Sequence, residues 1–499
     1  MKIAKSFLVG WVAGAFLFGS PALQLQAQSV PKRPNILFLF MDDLTWWAIH
    51  ALGNQEVQTP HIDRLFKEGT IFSNAYIMGA WHGAVCVASR TCLNTGLAVW
   101  DAHAAEPRLN QWAREGKFWA QLLHKAGYET YMTGKWHVRA NITNVFDHVR
   151  HVRPGMPRSV PSAYNRPIEG KPDPWKPWDK SLGGYWQGGT HWSVVTANDA
   201  CSFLEQAAGK SRPFFLYVAF NAPHDPRQSP KEYVERYSID KISLPPNFMP
   251  EYPYKDAMGC GKSLRDERLA PFPRTPYAIR VHRREYYAII THADDQIGRI
   301  LNTLHRLHLE KNTLIIFTAD NGLAIGCHGL MGKQSMFEHS VRVPLTLYGP
   351  GIPKGKRIDT PVYMQDIMPT TLEWAGVPIP SWVVYRSLMP LIRGERQVQY
   401  PTIYAAYRPD RQRMVRQGDY KLIWYPTIDK YLLFDLKHDP WETRDLAGEP
   451  SMQSRLHALQ QTLRQLEKRY HDPLLQSDQP SQSKSTKRSK PRRRKARSQ

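Results

Sequence analysis

Two clusters of hard oxygen donors are the first groups in this sequence able to do chemistry. Asp42 and Asp43 follow the apolar run 35–41 (NILFLFM), and Asp320 and Asn321 follow the run 314–318 (LIIFT). Carboxylate and amide oxygens suit calcium or magnesium, and calcium tolerates irregular geometry better. Adjacent carboxylates repel one another unless a cation or basic group lies between them. The competing reading of an acidic pair is a solvated turn or helix cap, and the apolar run ahead of both clusters weighs against it. Two more apolar runs end in the same way: 214–220 (FFLYVAF) leads into Asn221-Ala-Pro-His224, and 130–133 leads into Gly134-Lys135-Trp136-His137. Zinc is not expected, because the chain has no Cys-x-x-Cys or His-x-x-x-His pair.

Continuous β-branched and aromatic runs of this length predict buried parallel strands. In open α/β sheets, functional groups gather just outside the carboxyl ends of such strands. The four runs therefore predict one site at one edge of one sheet. Helices are predicted between them: 59–68, with Thr59 as N-cap, Pro60 at the first helical position and Gly69 at the stop, then 118–126 and 286–308. Strand and helix alternate over more than half the chain, which gives an α/β fold with a large, mostly parallel or mixed sheet flanked by helices. Two stretches break the alternation: 148–192, rich in Pro, Gly and Trp, and 226–280, rich in Pro and charge. Loops of that length are usually functional or disordered. Trp175, Trp178, Tyr185, Trp186 and Trp192 either offer faces to a sugar ring or pin the loop to the body. Beyond 385 the texture changes to short antiparallel strands at 413–416, 420–424 and 431–434. A helix over 452–470 follows, with Leu456, Leu459, Leu463 and Leu466 at helical spacing. The expected division is a leader at 1–27, a main domain at 33–385, a small α+β subdomain at 386–470 and a disordered basic tail at 471–499.

The leader has Lys2 and Lys5 ahead of a short apolar stretch and Ala27 at a candidate cleavage point, the pattern of a secretory signal. Its apolar stretch is shorter than the roughly 20 residues a membrane span needs. A periplasmic or secreted location is expected, an uncleaved anchor being the alternative. The five cysteines, an odd number, cannot all pair within one exported chain, so at least one is free, modified or joined to another chain. The net charge of +22 owes nine Lys and Arg to the run 484–497. That tail is either a tether to an anionic polymer or surface, or merely solvated. No motif for reading bases is present, so nucleic acid is not an expected partner.

Cys86 lies in the string Cys86-Val-Ala88-Ser89-Arg90-Thr-Cys-Leu93-Asn-Thr95-Gly96. By composition alone, such a cysteine is an inert buried thiol. The string resembles the sulfatase signature, in which the cysteine is oxidised to formylglycine. RPNILFLFMDD, TGKWH, FNAPHDP, TADNG, HGLMGKQSMFEHSVRVP, GDYKLIWY and LFDLKHDPWETRDLA are also similar to sulfatase segments and occur in the family's order. The resemblance spans nearly the whole chain after the leader.

The resemblance implies an alkaline-phosphatase-like fold, one calcium ion and hydrolysis of a sulfate ester; the export signal and the aromatic-rich loops favour a sulfated carbohydrate as the substrate. By position, Asp42, Asp43, Asp320 and Asn321 match the calcium ligands, with the modified Cys86 joining them. Arg90 matches the arginine that holds the formylglycine. Lys135 and Lys333 match sulfate-binding lysines, His137 the histidine beside the formylglycine hydrate, and His224 a histidine near the leaving oxygen. His328 lies in a family segment, as a substrate contact or a structural residue. The implied chemistry is attack of a geminal diol on sulfur, with the second hydroxyl expelling sulfate afterwards. Cationic groups neutralise the ester's oxygens. Ala88 stands where many aerobic members carry proline, which leaves open whether a formylglycine-generating enzyme or an anaerobic sulfatase-maturating enzyme acts on Cys86. Two other readings remain: a phosphate or phosphonate monoester hydrolase of the same superfamily, and an inactive binder of sulfated glycans.

Overall fold

The computed structural model describes residues 33–477 apart from 159. The leader 1–27 and the basic run 484–497 lie outside the described residues, and so do the expectations placed on them. In chain order the strands are β1 (Asn35–Asp42), β2 (Thr70–Phe72), β3 (Ala75–Tyr76), β4 (Gly79–Ala80), β5 (Glu129–Lys135), β6 (His148–Arg153), β7 (Phe214–Pro223), β8 (Thr313–Ala319), β9 (Arg342–Val343), β10 (Leu345–Tyr348), β11 (Lys356–Ile358), β12 (Val362–Tyr363), β13 (Ile403–Tyr407), β14 (Gln412–Gln417), β15 (Tyr420–Tyr425) and β16 (Lys430–Asp435).

The main sheet has eight strands in the order β11-β2-β10-β8-β1-β7-β5-β6. From β8 to β6 every pairing is parallel, whereas β10 runs antiparallel to both neighbours. The sheet is mixed, with a parallel heart. All of β1, β5, β7 and β8 is buried, which is why these strands read as unbroken apolar runs rather than alternating ones. The helices Trp192–Ala208 and Pro276–Arg306 pack against each other and against β7.

Two helices depart from expectation at their amino ends, one in its cap and one in its starting point. Helix Pro60–Glu68 begins where predicted, but the Thr59 hydroxyl bonds Asp63 instead of capping. Its first amides, on His61 and Ile62, are taken by Asp294 from the long helix at 3.1 and 2.7 Å. The long helix itself starts at Pro276, ten residues earlier than predicted, with Thr275 accepting from the Ala278 amide. His282, Arg283 and Glu285 in that first stretch are buried, so charged residues hide the apolar periodicity there.

The carboxyl-terminal strands form a five-stranded sheet, β16-β15-β14-β13-β4. Its last member comes from the main domain: β4, six residues before Cys86, pairs in parallel with β13. The expected boundary at 385 is therefore bridged by a shared sheet. The expected tail boundary at 471 also moves, because Asp472 forms a buried ion pair with Arg413 at 2.5 Å and a short helix, Leu474–Ser477, follows. Leu456, Leu459, Leu463 and Leu466 are buried as predicted.

Gly134 is the backbone point on which the functional edge turns. Its φ is +91°, and a Cβ there would collide with the Ala219 carbonyl of β7. The β5–β6 register shifts between Thr133 and Gly134, a bulge that re-aims the next side chain, Lys135. Gly134→Ala is expected to cost about 2–4 kcal/mol through strain and overpacking, with loss of turnover. Denaturant unfolding followed by two probes measures it, and a cost under about 0.5 kcal/mol would remove Gly134 from this role.

Candidate active site

Four neighbouring strands, β8, β1, β7 and β5, deliver their carboxyl ends to one place. Asp320 and Asn321 follow β8, Asp42 closes β1 and Asp43 follows it, His224 follows β7, and Lys135 closes β5. Asp43 adopts a left-handed conformation (φ +66°). Its carbonyl accepts from the Tyr286 hydroxyl at 2.6 Å and its amide donates to Asp320 Oδ1 at 3.2 Å. The turn aims its carboxylate at Lys333 Nζ, 2.6 and 2.8 Å from the two oxygens. Asn321 Nδ2 donates to Asp43 Oδ1 at 2.8 Å. Lys135 Nζ ion-pairs with Asp42, and Arg90 Nε donates to Asp320 Oδ2 at 2.7 Å.

Every one of these charges is buried, so each titrates according to its neighbours. Burial, with Asp320 and Asp43 close by, raises the Asp42 pKa well above the ordinary carboxylate range despite Lys135. Burial pushes Asp43 the same way, but His224, Lys333 and Lys135 outweigh it and hold that carboxyl well below the usual range. Burial is likewise outweighed at Asp320, by Arg90 and Lys135, and at Lys333, where Asp43 above all keeps the ammonium charged.

Cys86 stands in the first turn of the helix Val85–Thr95, which is buried along its whole length. One turn on, Arg90 lies over the Phe40 ring at 4.5 Å and donates from NH1 to the Lys135 carbonyl at 2.7 Å. Its NH2 is buried without a partner. Cys86 Sγ is 3.2 Å from His137 Nδ1. Burial, together with Lys135 and Arg90, drives the His137 pKa far down, so its ring is neutral. Gly155, after β6, packs on that ring where any Cβ would collide. Burial raises the Cys86 pKa, opposed by Lys135 and Lys333, so the thiol itself is a poor nucleophile here.

His224 Nδ1 faces the Asp225 carbonyl at 2.8 Å, which leaves Nε2 toward Asp43 at 3.6 Å. Burial lowers its pKa to about 4 although Asp43 pulls the other way. Cys86, His137, His224 and Lys333 line one cavity of about 540 Å³ together with Met156 and Arg265.

Ten of the eleven sequence-predicted site residues converge on this edge. His328 does not. Its Nε2 faces the Glu442 carbonyl at 3.0 Å, its Nδ1 meets Asn247 Nδ2 at 3.2 Å, and its ring stacks on Phe337 at 3.9 Å. With both nitrogens engaged and no place in the cavity wall, its contacts match the structural role, one of the two that the sequence left open. The loop aromatics also pack inward: Trp175, Tyr185, Trp186 and Trp192 are buried and Trp178 lies against the core. Tyr185 nevertheless serves the site, donating its hydroxyl proton to the His224 carbonyl at 3.0 Å.

Sequence reasoning missed the residues that place Lys333. The Glu267 carboxylate accepts from the Met331 and Gly332 amides at 3.0 and 2.9 Å. Gln334 Nε2 donates to Asp266 Oδ2 at 2.8 Å and to the Gly83 carbonyl at 2.9 Å. Arg265 reaches both Asp225 and Asp266. The only signal was the charge-rich stretch 226–280, which has no periodicity to decode.

The donor set fits a hard cation. Asp42 Oδ1 and Asn321 Oδ1 are buried oxygens without hydrogen-bond partners, and donor atoms of Asp42, Cys86 and Asp320 lie within 4.8 Å of one another, as do those of Asp42, Asp43 and His224. Oxygen-rich ligation of this kind favours calcium or magnesium over zinc.

Comparison with known proteins fits this geometry. The sulfatase family profile matches residues 34–377, and the profile of the N-sulphoglucosamine sulphohydrolase C-terminal region matches 326–469. An N-acetylglucosamine-6-O-sulfatase of Bacteroides thetaiotaomicron is 26% identical, the match covering 88% of this chain and 87% of the relative. Among solved structures, one in complex with its substrate D-glucosamine-2-N,6-O-disulfate superposes with TM-score 0.68 at 24% identity, covering 91% of this chain and all of that one. The phosphonate monoester hydrolase of Silicibacter pomeroyi superposes with TM-score 0.68 at 21% identity, covering 89% and 97%. The fold is alkaline-phosphatase-like, with a large mixed sheet flanked by helices. Because the sulfatase profile runs from the opening strand through most of the main domain, the chain belongs to the sulfatase family and is a sulfuric ester hydrolase.

Proposed function

We propose that this protein is an exported sulfatase acting on a sulfated carbohydrate, with Cys86 converted to formylglycine and one calcium ion held by Asp42, Asp43, Asp320 and Asn321. The observation that carries this reading is the setting of Cys86. A thiol that burial makes unreactive sits 3.2 Å from a neutral histidine, beside two lysines and an arginine whose NH2 has no partner. That setting is poor for a cysteine nucleophile and good for an oxygen nucleophile made from it. The carbohydrate reading draws on the names of the relatives and on an open cavity with room for a sugar residue.

Hydrated formylglycine supplies a geminal diol, one hydroxyl for attack on sulfur and the other for release of sulfate; calcium supplies positive charge to the ester oxygens. The other groups have separable roles. Lys135 and Lys333 neutralise the sulfate, whose oxygens otherwise repel any nucleophile. Arg90 NH2 orients the modified side chain. Neutral His137 accepts the diol proton at Nδ1. His224 Nε2 faces the departing oxygen. Burial leaves His224 neutral in the free site, and a bound sulfate ester raises its proton affinity through its own negative charge.

Peptide mass spectrometry on protein made beside a maturation enzyme is expected to show the Cys86 fragment about 18 Da lighter than the thiol form, with 4-nitrophenyl sulfate turned over faster than 4-nitrophenyl phenylphosphonate. A fully modified chain that prefers the phosphonate would move the function to phosphonate ester hydrolysis. His224→Ala is expected to lower kcat about 10²–10⁴-fold on a sugar sulfate, and far less on 4-nitrophenyl sulfate, whose leaving group needs no proton. Equal losses on both would assign His224 to binding. Chelation should remove about one calcium per chain, measured by elemental analysis, and calcium rather than zinc should restore both metal content and turnover.

A further inference from the structure

Three residues beyond Asp43 the chain turns into Trp46 and Trp47, which line a second cavity of about 410 Å³. Trp441, Arg283, Glu56 and Asn54 complete the part that matters, and the walls of this cavity and of the Cys86 cavity share no residue. The Trp441 ring centroid is 6.0 Å from that of Trp46 and 6.3 Å from that of Trp47. Trp46 and Trp441 are partly exposed, so the cavity is open to solvent along an indole surface.

Arg283 gives this cavity its chemistry. It is only 5% exposed and lies over the Trp47 ring at 4.4 Å. Its NH2 donates to the Tyr287 hydroxyl at 2.8 Å, which also receives Asn54 Nδ2 at 3.3 Å. Nε and NH1 are buried without partners. Arg90, Arg166, Arg274 and Arg413 each hold a carboxylate within 2.7 Å, whereas buried Arg227 pairs with His282 and lines no part of this cavity. Arg283 has no carboxylate partner among the described residues. A guanidinium does not deprotonate in proteins, and each buried N–H left unmade costs about 1–3 kcal/mol. The indole N–H groups of Trp46 and Trp47 are likewise without partners, while Glu56 Oε2 is a free acceptor beside them. The cavity thus has an excess of unpartnered donors over acceptors, a guanidinium with no carboxylate in ion-pair contact, and flat apolar faces.

We propose that this cavity is a second carbohydrate-binding site, for a sugar unit that carries an anionic substituent. The sulfate or carboxylate takes a charge-assisted hydrogen bond from Nε or NH1 of Arg283, the two groups left without a partner. The sugar ring lies against Trp441 and Trp46, and a hydroxyl donates to Glu56. The proposal goes beyond hydrolysis at Cys86: it gives the enzyme a hold on a polymer at a place that does no chemistry.

Affinity electrophoresis of the full chain through gels containing heparin, carrageenan or ulvan tests it, with desulfated heparin as a separate arm. On at least one polysaccharide, Arg283→Met and Trp441→Ala are each expected to raise the dissociation constant at least about tenfold. Turnover of 4-nitrophenyl sulfate should stay the same. The basic tail is common to parent and variants, so the ratio isolates the cavity. Retention of the effect on desulfated heparin supports the proposal with carboxylate as the anion, and its loss supports it with sulfate. In the unsubstituted chain the bound polysaccharide should slow amide exchange across 46–57 and 243–246, a readout that needs no variant to fold. No retardation of the parent by any polymer, equal retardation of parent and both variants, or protection confined to the Cys86 region would each overturn the proposal. A chain that fails to turn over 4-nitrophenyl sulfate while passing these tests would sink the sulfatase reading and leave this one standing.

Discussion

Charge balance in a dry place governs this molecule. Asp42, Asp43 and Asp320 converge at one sheet edge, and Lys135, Lys333 and Arg90 are the only charged side chains that meet them as ion-pair cations among the described residues. Charges taken out of water each cost several kcal/mol, recovered only when the partners are well placed. Three carboxylates alone at this edge would be untenable, and three cations alone equally so. In the proposed reaction a sulfate ester and a divalent cation would enter with opposite charges, and the edge presents preformed partners to both.

The need to bring those six side chains together explains features that look unrelated. Lys135 is re-aimed by a bulge that requires Gly134. Asp43 is turned by a left-handed residue that Tyr286 ties down. Lys333 arrives on a loop nearly 300 residues further along the chain than Asp43, and that loop is held from two sides. Glu267 and Asp266 grip it from the main domain, while Gln412 of β14 receives the Met336 amide at 3.1 Å and donates to the Gln334 carbonyl at 2.9 Å. The small carboxyl-terminal sheet is therefore part of the site's scaffold. Buried Lys421 of β15 extends the same logic, pairing with Glu338 at 3.0 Å and Glu442 at 2.7 Å.

The parts of this site that were legible in the sequence share one property: each is local to a strand end. A strand buried on both faces must be apolar throughout, so the polar residues that end it stand out, and β1, β5, β7 and β8 announced Asp42, Lys135, His224 and Asp320 in that way. The helix bearing Cys86 was legible only through its resemblance to a family, since a helix buried all round has no amphipathic period. The contacts of Asp266 and Glu267 with the Lys333 loop join segments more than 60 residues apart, and no spacing encodes them. His328 stayed ambiguous for a related reason, because a histidine in a family segment gives no hint whether its nitrogens face a cavity or a neighbouring carbonyl. The aromatic loop was ambiguous in sequence, and burial resolved it.

That resolution bears on how substrates are selected. With Trp175, Tyr185, Trp186 and Trp192 committed to packing, the outer wall of the Cys86 cavity falls to non-aromatic groups such as Met156, Leu264 and Arg265, and Arg265 is already shared between Asp225 and Asp266. For the proposed sugar substrate, such a wall offers few groups that distinguish one ring from another. Exposed indole faces beside an unpaired cation occur instead around Trp46, Trp441 and Arg283. Recognition energy gained away from the reacting bond can hold a polymer in place without altering the chemistry at sulfur. A site that reads only a sulfate and its immediate ring, with a second that reads the chain around it, is a physically consistent division of labour for this fold.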